Sequence, residues 1–219
     1  MLKNNHNFDC VILYLKLRYT YKKYAPLPFK YNMPCQNLIL FQHNLRFILE
    51  RDEGKMRYNV IRKMDIADGP GVRVSVFMQG CEFHCKNCFN TETWDFDGGK
   101  EFSQNTIDEV LKLCDKDYIK GLSILGGEPM HPKNIEATTR LAKAFKEKYP
   151  NKNIWAWSGF KFDEELKGKE VLNYVDVLVD GRYVDELHNP TLKWRGSSNQ
   201  RVIDVKKSME KGETILLDK

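Results

Sequence analysis

The chain beyond residue 55 alternates between short apolar runs and longer amphipathic stretches. Strands are predicted where apolar residues alternate or cluster, over residues 72–78, 121–125, 153–157, 175–179 and 202–205. Helical periodicity separates several of them, over residues 103–114, 132–149 and 163–166. Strands that alternate with helices indicate an α/β fold with mostly parallel strands. Because five or six such strands are too few for a complete eight-strand barrel, we expect an incomplete, open (β/α) barrel.

Residues 1–55 differ from the rest of the chain in their charge. They carry nine Lys or Arg and four Asp or Glu, which accounts for the whole net charge of +5. The remaining residues carry 26 basic and 26 acidic side chains, so no basic stripe follows a phosphate backbone and nucleic acid is not an expected partner. No apolar run reaches transmembrane length and no signal-peptide cleavage site is evident, so we expect no membrane span and a cytoplasmic protein.

We therefore expect residues 1–55 to be an extension outside a single domain that covers residues 56–219. Prolines interrupt the middle of this extension. The codons for residues 53–55 form a purine-rich run directly before Met56, which resembles a bacterial ribosome-binding site. One hypothesis is thus a misplaced start codon, and the alternative is a real, partly helical extension that docks a partner. In either case its cysteines, Cys10 and Cys35, are not expected to be metal ligands.

Three cysteines lie in one short loop after the strand at residues 72–78. Cys81, Cys85 and Cys88 have the spacing Cys-x3-Cys-x2-Cys, and three thiolates can hold three corners of a 4Fe-4S cluster. One iron would then keep an open position for substrate. A structural zinc site with His84 or Cys114 as fourth ligand is the alternative, although no second ligand pair is present. Cys114 fits the apolar face of its helix, so we expect it in the core.

The cysteine spacing resembles the cluster motif of the radical S-adenosylmethionine enzymes. Further motifs narrow this resemblance to the activating proteins of anaerobic ribonucleoside-triphosphate reductases. They are Asp-Gly-Pro-Gly-Val-Arg at residues 68–73, Gly-Gly-Glu-Pro at 126–129, Ile-Trp-Ala-Trp-Ser-Gly at 154–159, Val-Leu-Val-Asp-Gly at 177–181 and Trp-Arg-Gly-Ser-Ser-Asn-Gln at 194–200. The similarity runs from about Met56 to Ser208. Many superfamily members have an aromatic residue before the last cysteine, where this chain has Asn87.

The resemblance implies an enzyme, an oxidoreductase with a radical S-adenosylmethionine type of barrel. Cys81, Cys85 and Cys88 would ligate one 4Fe-4S cluster, and reductive cleavage of S-adenosylmethionine would generate a glycyl radical on the anaerobic reductase. Residues that would contact S-adenosylmethionine lie in the cysteine loop and in the Gly-Gly-Glu-Pro turn, and they are Asn87, Cys88, Phe89, Gly127 and Glu128. A flavodoxin- or ferredoxin-type protein would supply the electron.

Two other functions stay open from the sequence. One is an activase for another glycyl-radical enzyme, such as a formate-lyase, and the other is a zinc-binding interaction module. Asp180, at the end of a predicted strand, is a candidate polar contact in the site. The polar stretch at residues 195–200 is expected either to line the cofactor or partner cleft or to form a solvated loop.

Overall fold

The computed structural model describes residues 56–217, which form a seven-stranded mixed sheet flanked by helices. The strands are β1 (Arg57–Asp65), β2 (Val72–Met78), β3 (Lys100–Glu101), β4 (Ile119–Gly126), β5 (Asn153–Trp157), β6 (Val177–Asp180) and β7 (Arg201–Asp204). The α-helices are α1 (Gln104–Cys114), α2 (Ile135–Lys148) and α3 (Val205–Lys211). Short 3-10 helices cover Thr91–Thr93, Glu170–Asn173 and Asp185–Leu187, and a π-helix covers Phe162–Leu166.

The strand order is β3-β1-β2-β4-β5-β6-β7, and only the four central strands are parallel. β2, β4, β5 and β6 pair in parallel, whereas β1 pairs antiparallel with β2 and β3, and β7 pairs antiparallel with β6. The α/β class is confirmed, but the prediction of mostly parallel strands, five or six in number, is wrong. A short turn joins β1 to β2, and such a turn permits only antiparallel pairing because a parallel crossover needs a dozen or more residues.

The sequence pattern predicts five of the seven strands and the two longer helices, and it misses β1 and β3. β2, α1, β4, α2, β5, β6 and β7 lie within a few residues of the predicted positions. α1 begins after Ser103, whose backbone N–H donates to Oγ1 of Thr106 over 3.1 Å in a capping box. β1 was not predicted, and α3 forms in a C-terminal segment whose charged composition carried no signal.

One face of the sheet packs against helices to form the core, and the other face has a different composition. The core contains alternate strand residues packed against α1 and α2, among them Val74, Val76, Leu122, Ile124, Ile154, Ile107, Val110, Leu141 and Phe145. The intervening strand residues point to the opposite face. Arg73, Ser123 and Trp155 are buried there, which shows that this face is covered and partly polar. Among residues 56–217, no helix is both long and apolar enough to cross a membrane.

Candidate active site

A cleft of about 430 Å³ opens at the carboxyl ends of the parallel strands. It contains the three cysteines of the loop together with all of the residues predicted to contact a cofactor, namely Cys81, Cys85, Cys88, Asn87, Phe89, Gly127 and Glu128. Parallel α/β sheets commonly bind ligands at this edge. The tertiary structure therefore brings the cysteine loop and the Gly-Gly-Glu-Pro turn into one cavity, although 39 positions separate Cys88 from Gly127.

The cysteine loop is tightly curled and closed at its base. His84 and Asn87 have positive φ angles of 45° and 57°, and the N–H of Cys88 donates to the carbonyl of Cys85 over 3.1 Å. At the base, the Gly80 N–H donates to the carbonyl of Thr93 over 2.7 Å. These bonds hold the loop against the 3-10 helix Thr91–Thr93, so the thiols project from an ordered backbone.

The chemistry of the three thiols suits a metal cluster. All three cysteines are free, and burial raises the pKa of Cys81 to about 11, although the backbone N–H groups of Phe83 and His84 oppose this shift. Burial also raises the pKa of Cys85, against a hydrogen bond from the Tyr183 N–H. N–H donors aimed at sulfur stabilise a thiolate, and coordination to a cation removes the thiol proton outright.

The cysteines share the cleft without forming a finished metal-binding geometry. Within residues 56–217, no group of three or more His, Cys, Asp or Glu side chains is arranged to hold a metal ion. The ligand set predicted from the spacing therefore stays a prediction. Neither of the two candidate fourth ligands supports the alternative of a zinc site. Cys114 is buried in the core on α1, and the His84 ring lies against Trp94 with 4.5 Å between ring centroids.

The Gly-Gly-Glu-Pro turn rests directly on the base of the cysteine loop. The N–H of Gly127 donates to the carbonyl of Met78 over 2.9 Å, and the N–H of Glu128 donates to the carbonyl of Gly80 over 2.8 Å. A Cβ at residue 127 would lie 2.6 Å from the Gly80 oxygen. Only glycine fits this close backbone contact, so the residue predicted to approach a cofactor is also needed to join the two loops.

Glu128 is buried and its carboxylate is already well hydrogen-bonded. One oxygen accepts from the Met130 N–H and the Ser158 hydroxyl, each over 2.8 Å, and the other accepts from the Gly159 N–H over 2.7 Å. Burial raises the pKa of Glu128 to about 7, while these donors act in the opposite direction. Any contact of this carboxylate with the ammonium group of a cofactor would be additional to these three bonds.

Asn87 and Phe89 occupy the rim of the cleft. The Asn87 amide donates to Asp185 over 2.9 Å, and the neighbouring Lys86 pairs with Glu186 over 2.9 Å. Phe89 is 81% exposed, although it lines the cleft. The cysteine loop is thus tied on its outer side to the 3-10 helix Asp185–Leu187, a connection that spacing alone did not indicate.

The other two polar candidates have different outcomes. Asp180 is buried beside Arg201 and does not line the cleft, so the prediction that it contacts the site is wrong. Its position in an ion pair explains why a polar residue ends β6. The segment at residues 195–200 does line the cleft, through Arg195, Gly196 and Gln200.

Several cleft residues carried no functional signal in the sequence. Arg182 and Tyr183 line the cleft, and the indole N–H of Trp157 donates to the carbonyl of Trp194 over 2.7 Å, which fixes the 194–200 segment at the cleft wall. Asn134 does not line the cleft but contacts both loops that form it. Only the tertiary structure brings these residues, which are distant in sequence, to the same place.

The sequence is similar to one family model and to several curated proteins. A family model described as a 4Fe-4S single cluster domain matches residues 67–203. The anaerobic ribonucleoside-triphosphate reductase-activating protein of Enterobacteria phage T4 is 44% identical over 148 residues, which cover 67% of this chain and 93% of that protein. Proteins of the same name from Vibrio cholerae and Escherichia coli K12 are 39% and 38% identical, over 66% and 67% of this chain and 96% and 97% of their own lengths.

Proposed function

Because the chain belongs to the family of anaerobic ribonucleoside-triphosphate reductase-activating proteins, we propose that it activates such a reductase by radical S-adenosylmethionine chemistry. The observation that carries the proposal is the meeting of three free cysteines and a Gly-Gly-Glu-Pro turn in one cleft. The mixed sheet would then be an open variant of the incomplete (β/α) barrel. The reaction would form a glycyl radical on the reductase in the cytoplasm. A flavodoxin- or ferredoxin-type protein would supply the electron.

Cys81, Cys85 and Cys88 would hold three irons of a 4Fe-4S cluster. With the cluster and S-adenosylmethionine bound, the site would supply a one-electron reductive cleavage of S-adenosylmethionine, which would lead to removal of a hydrogen atom from a glycine of the reductase. The raised pKa of the Cys81 thiol means that it stays protonated at neutral pH until a cation displaces the proton. The N–H groups directed at the Cys81 and Cys85 sulfurs would then stabilise the bound thiolates.

The remaining residues would position the cofactor and exclude water. Gly127 lets the turn pack closely on the backbone oxygens of Gly80 and Thr93. Glu128 fixes the turn through its bonds to Ser158 and Gly159. Asn87 and Phe89 would contact the cofactor from the rim of the cleft. Trp157 and Trp194 supply apolar wall, which favours a site from which water is excluded once the reductase glycine enters.

The test is anaerobic reconstitution with iron and sulfide of the wild type and of four single cysteine variants. Cys81→Ala, Cys85→Ala and Cys88→Ala are each expected to lose iron and to lower 5′-deoxyadenosine formation at least about 100-fold, because alanine supplies no ligand. Cys114→Ala is the matched control, since it removes a buried thiol in the core and should cost only about 1 kcal/mol of unfolding free energy. Full activity in Cys88→Ala would contradict the ligand assignment.

The same preparation separates the competing functions. Wild-type protein that carries stoichiometric zinc and no iron after reconstitution would contradict the radical mechanism. A glycyl-radical electron paramagnetic resonance signal on added anaerobic reductase, and none on added formate-lyase, is the expected result. The reverse preference would favour the formate-lyase alternative.

A further inference from the structure

Asn134 connects the two loops that form the cleft. Its side chain is buried, with 2% of the residue exposed, and it lies immediately before α2. The side-chain nitrogen is within hydrogen-bond distance of three backbone carbonyls, at 2.9 Å from Gln79, 3.3 Å from Gly80 and 2.9 Å from Glu128. The first two carbonyls lead into the cysteine loop, and the third belongs to the Gly-Gly-Glu-Pro turn. One amide group therefore bridges both segments.

The usual role of asparagine at this position does not explain these contacts. An asparagine before a helix ordinarily uses its side-chain oxygen to accept from N–H groups of the first turn. Asn134 makes no side-chain cap hydrogen bond with α2. Its amide instead donates away from the helix, toward the cysteine loop and the turn. The helix thus serves as a rigid support that holds this donor in place.

The bridge converges on a backbone position that has little freedom to move. The Gly80 carbonyl accepts from Asn134 and also from the Glu128 N–H over 2.8 Å, and Gly80 directly precedes Cys81. Gly80 has a φ of +96°, and a Cβ there would lie 2.1 Å from the Phe96 ring. A shift of the Gly-Gly-Glu-Pro turn would therefore be transmitted to the first cysteine, or its hydrogen bonds would break.

We infer that Asn134 is a positioning residue that sets the location of the cysteine loop relative to the Gly-Gly-Glu-Pro turn. This inference rests on the proposed function, in which the first segment holds the cluster and the second holds the methionyl end of S-adenosylmethionine. The two groups must meet with the correct geometry, and a misplacement of about 1 Å can lower a rate about 100-fold. Asn134 touches neither group and acts through the backbone of both loops.

The test compares Asn134→Ala, which removes the bridge, with Asn134→Ser, which retains one shorter donor. Thr138→Val is the matched control because the Thr138 hydroxyl donates its single proton to the Pro129 carbonyl of the Gly-Gly-Glu-Pro turn over 2.8 Å, and it therefore does not bridge to the cysteine loop. In protein without cluster or cofactor, the Glu128 amide should exchange with solvent about tenfold faster in Asn134→Ala than in Thr138→Val. Asn134→Ser should give an intermediate rate.

After reconstitution, Asn134→Ala is expected to hold the wild-type amount of iron because all three cysteines remain. The rate of 5′-deoxyadenosine formation should fall about 100-fold, and addition of S-adenosylmethionine should change the electron paramagnetic resonance spectrum of the reduced cluster less than in the wild type. Thr138→Val should keep the wild-type rate and spectrum. Wild-type exchange and cleavage in Asn134→Ala would overturn the inference. If that variant does not fold, wild-type values in Asn134→Ser would overturn it.

Failure of the proposed function gives a different result. In that case the wild type itself would neither bind iron nor cleave S-adenosylmethionine. The exchange measurement needs neither group, so unchanged exchange in Asn134→Ala would still overturn the bridging role of Asn134.

Discussion

Asp180 and Arg201 form a two-point ion pair across the antiparallel strands β6 and β7. The guanidinium donates to one carboxylate oxygen over 2.8 Å and to the other over 2.5 Å. Asp180 also accepts from the N–H of Phe162 over 2.7 Å. Its carboxylate is therefore fully used in joining β6, β7 and the start of the π-helix. The ion pair fixes the last strand of the sheet, and we assign Asp180 a structural role outside the cleft.

Arg201→Leu is expected to destabilise the protein by about 3 kcal/mol, because it leaves the buried carboxylate of Asp180 without its cation. Lys207→Ala is the control, since Lys207 pairs with Asp204 at the surface with 62% of its side chain exposed. Its loss should destabilise the protein much less than the loss of Arg201, because solvent screens an exposed ion pair. Urea unfolding of both variants measures the difference, and equal costs would mean that the Asp180 pair contributes no more than a surface pair.

Gly127→Ala is expected to impair the assembly of the cleft as well as stability. The added Cβ would meet the Gly80 oxygen at 2.6 Å and the Thr93 oxygen at 3.0 Å, and both are backbone atoms that cannot rotate away. We expect about a tenfold or greater loss of bound iron or of S-adenosylmethionine cleavage.

Gly168→Ala is the control for Gly127→Ala, because it introduces backbone strain without a close contact. Gly168 has a φ of +81° and nothing within 4 Å of an added Cβ, so alanine there should cost about 1 kcal/mol of stability and leave iron binding unchanged. Iron analysis and urea unfolding of both variants test the comparison. Similar iron content and similar cleavage in the two variants would show that the Gly127 contact is unimportant for the site.

Asp68 should make stability depend on pH. Burial, together with a hydrogen bond to the neighbouring carboxyl of Asp65, raises the pKa of Asp68 to about 7. The folded protein then holds a proton that the unfolded chain has lost above about pH 4. This contribution to stability is present at low pH and is lost as the pH rises to 7.

Asp68→Asn should remove that dependence. The asparagine side chain has the shape of the aspartate side chain and can still donate to Asp65. The variant protein should therefore be more stable than the wild type above pH 7. Because 18% of the Asp68 side chain is exposed, the gain should be about 2 kcal/mol. Urea midpoints measured from pH 4 to pH 8 provide the test. Parallel pH profiles for the two proteins would show that Asp68 is ionised in the folded state throughout this range.

A protein that begins at Met56 is expected to bind iron and activate the reductase within about twofold of the full chain. The 4Fe-4S single cluster domain model matches residues 67–203, and residues 1–55 lie outside the described part of the structure. Met56 itself should be retained because its carbonyl accepts from the Phe102 N–H over 2.7 Å. Lost activity would favour an extension that docks a partner. Peptides from residues 1–50 in native cells would refute a misplaced start.

The sequence by itself determined the elements and motifs whose information is local. Strand and helix periodicity depends on neighbouring residues, and this is why β2, α1 and β4 were placed correctly. The cysteine spacing and the Gly-Gly-Glu-Pro turn likewise act over a few residues, and both occur in the cleft as expected.

The tertiary structure alone decided how these pieces pair. The antiparallel direction of β7, the use of the Glu128 carboxylate by Gly159 and the bridge made by Asn134 all join residues that are far apart in sequence or lie on different elements. A polar residue beside a motif looks the same in sequence whether it meets a ligand, as proposed for Asn87, or an ion-pair partner, as Asp180 does. The physical reason is that hydrogen-bond partners are selected by burial and proximity in the folded chain, which local spacing does not encode.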